Sequence, residues 1–320
     1  MMAFDSRGAD FAGFLAKVNG AVWEARALDA ALATHYHPQV ILRDAGGLGF
    51  GPAGIGADVL GQIAAFPDLS LRIEDVMWSG GAQVGMLGSE RAMGFARHRG
   101  GGLYGAPSGA PVRFRVMADR YAKAERISDV WQVRDTGAIL RQIGVDPRVW
   151  AGEQLARLDP ETQPFTPARD VQGPYTGTGT ANQWCMAFSE LLERVMLGGF
   201  SAIPEQYDRA CALHYAGGEP GFGPESAEAF WLGLRASFPS ADFAVHHRIG
   251  IEEPLLPPRA ALRWSLTGRH DGWGLFGAPT GAEVHVMGLS HAEFGPRGLR
   301  REWSLIDESA IWMQIAAKTG

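Results

Sequence analysis

The sequence predicts an α+β protein made of two tandem domains of one fold, each with helices packed on a curved, mainly antiparallel sheet. Three observations carry this. The segment Leu103-Tyr104-Gly105-Ala106-Pro107-Ser108-Gly109 returns as Leu275-Phe276-Gly277-Ala278-Pro279-Thr280-Gly281, and the same gap-free offset carries Arg91 to Arg263, His98 to His270, Trp131 to Trp303, Asp135 to Asp307 and Gln142 to Gln314. Self-similarity at one fixed period means one structural unit used twice. Within each unit, apolar residues recur first at helical spacing and then at period two. Ten Trp and forty-three Gly add the large flat side chains and tight turns that suit curved sheets around a pocket.

From Asp10 to about Thr34, Phe11, Phe14, Leu15, Val18, Val22, Ala25, Leu28 and Leu32 keep helical spacing, which predicts one long amphipathic helix with a break near Gly20. Val40 to Arg43 reads as a short strand. Gly54 to Ala65 places Ile55, Val59, Leu60 and Ile63 on one side of a second helix, which Phe66-Pro67 ends because proline cannot continue it. Four strands follow, at Leu69–Trp78, Gln83–His98, Val112–Ala122 and Ile127–Asp135, with Pro107-Ser108-Gly109 as a tight connection. The first domain is expected over residues 1–144. Residues 145–180 have no partner under the offset, are rich in Pro and end in Thr176-Gly177-Thr178-Gly179-Thr180; they read as a linker, with a short helix at Val149–Leu158.

The second domain, residues 181–320, starts with a helix from Asn182, which is placed to cap it. His214 stands nearer to Gly223 than His35 does to Gly51, and this predicts that the second domain lacks the strand at Val40–Arg43. The runs Gly46-Gly47-Leu48-Gly49 and Gly100-Gly101-Gly102 read as plain loops, because neither follows a strand and opens a helix as a dinucleotide cradle would.

A net charge of −6 with no Lys or Arg block lacks the electrostatic footprint of nucleic-acid binding. No apolar run is long enough to span a membrane, and Asp5, Arg7 and Asp10 stand where a signal peptide needs an apolar core, so a cytoplasmic protein is expected. Cys185 and Cys211 have no metal-ligand spacing and read as buried inert thiols.

The first copy closes with Ile127-Ser128-Asp129-Val130-Trp131, Asp135 and Ile139-Leu140-Arg141-Gln142-Ile143-Gly144, preceded by Phe66-Pro67-Asp68, Arg97-His98 and Gly105-Ala106-Pro107-Ser108-Gly109. This ordered set resembles the SnoaL-like polyketide cyclase family over most of both copies. The resemblance implies the cone-shaped α+β fold of the nuclear transport factor 2 superfamily and an apolar pocket. It also implies an intramolecular aldol closure, which needs an acid/base group and asks for no metal and no cofactor. The expected strand end Gly-Thr-His stands here as Ala96-Arg97-His98 and Gly268-Arg269-His270, and the second copy has Ser240 for Asp68 and Arg301 for Asp129, with Glu302 moved by one. A one-residue shift on a strand turns a side chain to the other face. The first domain is therefore the expected active half.

Period two puts Asp129, Trp131, Val133 and Asp135 on one face, and a carboxylate beside an indole is partly desolvated, which raises its pKa toward a useful range. The expected catalytic residues are Asp129, His98 and Asp135, with His98 polarising a carbonyl or holding the acid. The competing reading makes His98 and His270 structural at a strand end and Asp135 and Asp307 helix caps. Arg113, Arg115, Met117, Asp119 and Tyr121 share one face of the third strand, as do His285, Met287, Leu289, His291 and Glu293 in the second copy. Inward, they would line two pockets; outward, they would form a seam in which the tandem makes an internal pseudo-dimer and Arg115 pairs with Asp119. Trp131, Arg115, Asp119, Tyr121, His270, His285, His291, Trp303 and Asp307 are the expected substrate contacts. A small apolar or polyketide-like ligand is the expected partner, and further homodimerisation is left open. Two other functions fit the residues: a binding module without turnover, and an isomerase or epoxide hydrolase using Asp119, Arg115 and Asp129.

Overall fold

The computed structural model describes residues 9–44, 46–157 and 164–319. Asp5 and Arg7, and Leu158 and Pro160 of the linker, lie outside the described residues. The chain builds two six-stranded sheets of identical topology, each with helices against one face. In the first half, β1 (Tyr36–Asp44), β2 (Gly47–Phe50), β3 (Ser70–Gly81), β4 (Gly85–Arg97), β5 (Pro111–Lys123) and β6 (Arg126–Arg134) stand in the order β2-β1-β6-β5-β4-β3. In the second, β7 (Tyr207–Tyr215), β8 (Pro220–Phe222), β9 (Asp242–Ile251), β10 (Arg259–Arg269), β11 (Glu283–Gly295) and β12 (Gly298–Ile306) stand in the order β8-β7-β12-β11-β10-β9. In both sheets the first and last long strands pair in parallel and all other pairs are antiparallel.

The predicted long helix is three pieces: α1 (Ala9–Asn19), a π-helical turn over Gly20–Glu24, and α2 (Leu28–His35). The break at Gly20 is where the sequence puts it, and a second follows at Arg26, whose φ of 53° no helix accepts. With α3 (Gly51–Ala65), these helices fill the deep part of a cup whose wall is the sheet. Gly88 on β4 allows the closest approach: a Cβ there would lie 2.6 Å from Leu15 and 2.9 Å from Phe11.

Two expectations need correction. The second half does contain the strand it was expected to lack, as β7. His214 is not the counterpart of His35; it pairs with Trp303 as Arg43 pairs with Trp131. Counted from the true counterparts, Arg43 to Gly51 spans 8 positions and His214 to Gly223 spans 9, so the deletion inferred from His35 does not exist. Gly47–Phe50, read as loop, is an edge strand paired with Ile41–Asp44. The linker helix forms as α5 (Pro147–Arg157), after α4 (Thr136–Gln142). Asn182 caps α6 (Gln183–Met196), its Oδ1 accepting from the backbone N–H of Trp184 and Cys185. The second half is completed by α7 (Ala202–Gln206), α8 (Pro224–Ser237) and α9 (Glu308–Thr319). Both cysteines are free and buried. No helix among the described residues is long and apolar enough to cross a membrane.

The outer faces of the two sheets meet, and the tandem repeat fits an internal pseudo-dimer. Met77, Leu87, Tyr121 and Trp131 pack with Ile249, Ile251 and Ala261, while Met117 and Val133 pack with Leu289, Trp303 and Leu305. The polar contacts are reciprocal, as at a two-fold interface. The Arg263 guanidinium lies 3.9 Å over Trp131 and donates to Asp119 at 3.1 Å; the equivalent Arg91 lies 3.6 Å over Trp303 and meets the His291 ring at 3.2 Å. Each indole is covered on its other side from its own half, Trp131 by Arg43 and Trp303 by the stacked His214 ring. Cation–π stacks of this desolvated kind stabilise by about 2 kcal/mol.

Arg263→Ala removes the arginine from the buried Asp119 carboxyl in the seam, a loss of about 3–5 kcal/mol. Arg269→Ala removes only an exposed pair with Glu283 and should cost under ~1 kcal/mol. Chemical denaturation of both variants checks this difference.

Candidate functional site

Side-chain alternation decides which residues reach the cup. On β6, Val130, Gln132 and Arg134 face the cup and Asp129, Trp131 and Val133 face the seam. A bulge brings this about: Tyr121 pairs with Asp129 but Ala122 pairs with Ile127, leaving Ser128 extra, so Ile127 and Val130 both point into the core. Of the expected grouping of Asp129, Trp131, Val133 and Asp135, the first three share a face, the one away from the cup, and Asp135 lies past the strand as the cap of α4.

Asp129 is buried at the seam. It accepts from Arg43 at 2.9 Å and from the Tyr175 backbone N–H at 3.0 Å, and Arg43 also donates to Asp170 and to the Val171 carbonyl. Burial raises its pKa while Arg43 and the Tyr175 N–H pull the other way. The linker lies directly over it, since a Cβ on Gly173 would come within 1.8 Å of the Asp129 carboxylate. His98 is elsewhere, at the β4–β5 connection, its Nδ1 3.2 Å from Ser108 Oγ and its ring against Phe66 and Tyr104. The structure does not bring Asp129 and His98 together, because they belong to opposite faces of the sheet.

The other expected site residues divide in the same way. His270 repeats the His98 contact with Thr280 at 3.1 Å, and burial lowers the pKa of both rings. Asp135 caps α4 through the Ala138 N–H and accepts from the Gly217 N–H of the second half; burial pushes its pKa up to about 6. Arg115 does not pair with Asp119; it is bidentate on Glu74, while Asp119 goes to Arg263 across the seam. The Asp119–Arg115–Asp129 cluster is therefore not formed. Tyr121 donates to the Val84 carbonyl, and its ring lies tilted against Tyr175. His291 meets Ser89 and Arg91, and Trp303 lies under Arg91. His285 and Trp131 border a cavity of about 140 Å³ between the sheets, next to Phe165 and Arg263. The shared face of the third strand is thus the seam face in both halves.

A larger cavity, of about 530 Å³, opens into the first cup. Leu42, Leu48, Phe50, Leu103, Trp150 and Met313 give it apolar walls, and Asp44, Asp58, Gln132, Arg134, Tyr104 and Asp307 bring polar groups. Of the residues expected from sequence, Asp307 lines it; it also caps α9 by accepting from Ser309 N–H and takes a hydrogen bond from Thr136 at 2.9 Å. Asp58 on α3 is held bidentately by Arg134 at 2.9 Å and by Gln132 at 3.2 Å. Asp44, the last residue of β1, accepts from the Gly46 N–H at 2.8 Å, its one hydrogen bond among the described residues. Burial, and then the nearby Asp58 charge, push its carboxyl up to about 7, against the pull of Arg134. It keeps partial exposure because its open side is the cavity.

The second cup has lost these groups. Asp44, Asp58, Arg134 and Gln132 correspond to Tyr215, Phe230, Ile306 and Ser304. Tyr215 and Phe230 stack at 4.1 Å where the first half has its acids, with Trp231 packed edge-on against both. Glu302, one residue along from the place of Asp129, faces inward as the one-residue shift requires. It is buried and accepts from Tyr207, Tyr215 and Ser304. Sequence reasoning missed Asp44, Asp58, Gln132 and Arg134, although Asp44 extends the row Val40–Leu42 and Arg134 the row Val130–Gln132. A charged residue closing an inward apolar row is the signal that could have found them.

Gly173→Ala should dislodge the linker from Asp129 and Arg43 while leaving both cups intact. Limited proteolysis between Phe165 and Thr180 should become faster in the variant.

Comparison with curated proteins gives no match. Among solved structures, a proposed polyketide cyclase from Acidithiobacillus ferrooxidans is 20% identical, over 44% of this chain and 97% of its own, with a TM-score of 0.37. A proposed SnoaL-like polyketide cyclase from Jannaschia sp. CCS1 is 19% identical over 43% of this chain and 97% of its own, at 0.36. AclR of Streptomyces galilaeus, a proposed hydroxylase, is 18% identical over 42% and 85%, at 0.37. The family model described as SnoaL-like polyketide cyclase matches residues 15–143 and again residues 187–315. With both halves matched and each folded as helices on one face of a six-stranded mixed sheet, the chain belongs to the SnoaL-like polyketide cyclase family.

Proposed function

We propose that the first half is a carbon-acid enzyme of the cyclase type, acting on an apolar oxygenated small molecule in the 530 Å³ cavity with Asp44 as its acid/base group. One feature carries this reading: the Asp44 carboxyl, which burial and the nearby Asp58 charge push up to about 7, stands on the wall of a largely apolar cavity, where the second half has Tyr215 stacked on Phe230. A base of that strength is best matched to proton transfer near pH 7. Asp44 takes a proton from the carbon beside a carbonyl, leaving an enolate. The enolate carbon attacks a second carbonyl of the same molecule, forming a C–C bond and turning that C=O into an alkoxide. The alkoxide recovers the proton from Asp44, so the substrate is isomerised and the carboxylate restored. Gln132 and Arg134, on the same wall, place donors where the oxyanions develop. Asp129 and His98, which have no face on the cavity, take no part in this route. For the second half, supported by its aromatic filling, we propose a structural role without turnover.

The test uses alkyl phenyl ketones in deuterated water, with exchange of the hydrogens next to the carbonyl followed by NMR. Asp44→Asn should slow exchange by about 10²–10⁴-fold, the usual range for a lost acid/base group. The wild-type rate should rise with pH through a midpoint near 7, and this limb should be missing in the variant. Equal exchange by the two proteins contradicts the proposal.

A second prediction concerns stability. With its pKa raised in the fold, Asp44 binds a proton in the native state at pH values where the unfolded chain has released it. Wild-type stability therefore falls as pH rises from about 4 to about 7, and Asn removes this loss. Asp44→Asn should be the more stable protein at pH 8 in denaturant titrations, with the gap closing at pH 4.

A further inference from the structure

We propose that the second half reads the length of the first half's substrate, with Met313 of α9 as the specificity-determining residue. This rests on the carbon-acid reading of the cavity. Met313 belongs to a half whose own cup has stacked Tyr215 and Phe230 in place of the acids, yet it packs in the first half's core with Leu42 and Trp150. Together with Trp150 and Gln154 of α5 it roofs the cavity, while the reactive groups come from β1, β6 and α3. A ligand that sets its oxygens against Asp44, Gln132 and Arg134 leaves its apolar tail to this roof. Phe50 and Leu103, exposed by 55% and 36%, also line the cavity, the Leu103 carbonyl accepting from the Trp150 indole N–H at 3.0 Å.

The roof is fixed from the first half. Arg141 of α4 binds Glu308 at 2.6 and 2.7 Å, Trp312 donates to the same carboxylate at 3.1 Å, and Arg148 lies 5.7 Å over the Trp312 ring. Thr136 ties α4 to Asp307 at the start of α9. The helix is thus held in place, and a flexible thioether side chain hangs from it at the point where tail length is felt. The repeat makes the assignment directional: the position equivalent to Met313 is Arg141, which is engaged with Glu308 and offers the second cup no such apolar contact. The chemical class implied is an amphipathic ketone, polar at the reacting end and apolar beyond it.

The experiment measures binding by calorimetry and exchange by NMR for acetophenone and its longer-chain alkyl phenyl homologues, on the full chain. Met313→Trp should raise KM and Kd at least tenfold for the longest homologue that wild type accepts, moving the preference to shorter chains. Met313→Ala should move it the other way. A chain-length profile unchanged in both variants overturns the inference, as does failure of wild type to bind any homologue. Binding of the series without exchange by wild type overturns the acid/base reading alone, and the binding profiles of the two variants still decide the role of Met313.

Discussion

The stack of Arg263 on Trp131, repeated by Arg91 on Trp303, is the constraint from which the rest of the arrangement follows. It joins the sheets through their outer faces and so commits one side of every central strand to a seam. Charged residues on that side are engaged there: Asp119 accepts from Arg263 across the seam, and within the first half Glu74 accepts from Arg115 and Asp129 from Arg43. Only the other side of each strand is left to line a cup. The buried charges of the seam are hydrogen-bonded partners of one another, and their worth lies in fixing one docking geometry more than in net stability.

Docked face to face, the halves exchange contacts through the helices that follow their sheets. Met313 and Asp307 of the second half border the first cup's cavity, while Asp135 of the first accepts from the Gly217 N–H of the second, so the two contacts have diverged. Inside the cups the divergence is larger, with Asp44, Asp58 and Arg134 set against Tyr215, Phe230 and Ile306. Duplication allows this: one copy keeps polar groups in a costly buried position while the other replaces them with packed rings.

Most of the fold was legible in the sequence, because its signals are local or repeated. The offset from Leu103 to Leu275 exposed the duplication, Pro67 and Gly20 marked where helices end or break, and period two located four strands of the first sheet. What failed was long-range. The gap read in the second copy came from taking His214 for His35, and only the pairing of His214 with Trp303 shows it standing for Arg43. Period two correctly grouped Asp129 with Trp131, but which face of a sheet looks inward depends on what packs against it, and that partner was the other domain. The candidate site suffered most. The motif residues Asp129, His98 and Trp131 drew attention, while Asp44 and Asp58 sat in stretches read for their apolar neighbours.

The proposed chemistry requires the Asp44 carboxyl to hold its proton to near-neutral pH in the cavity. Titration of the protein carrying carbon-13-labelled aspartate, with the Asp44 carboxyl signal assigned through Asp44→Asn, measures this without any substrate. A midpoint near 7 is the expected result. A midpoint near 4, the value of a solvated aspartate, would contradict it.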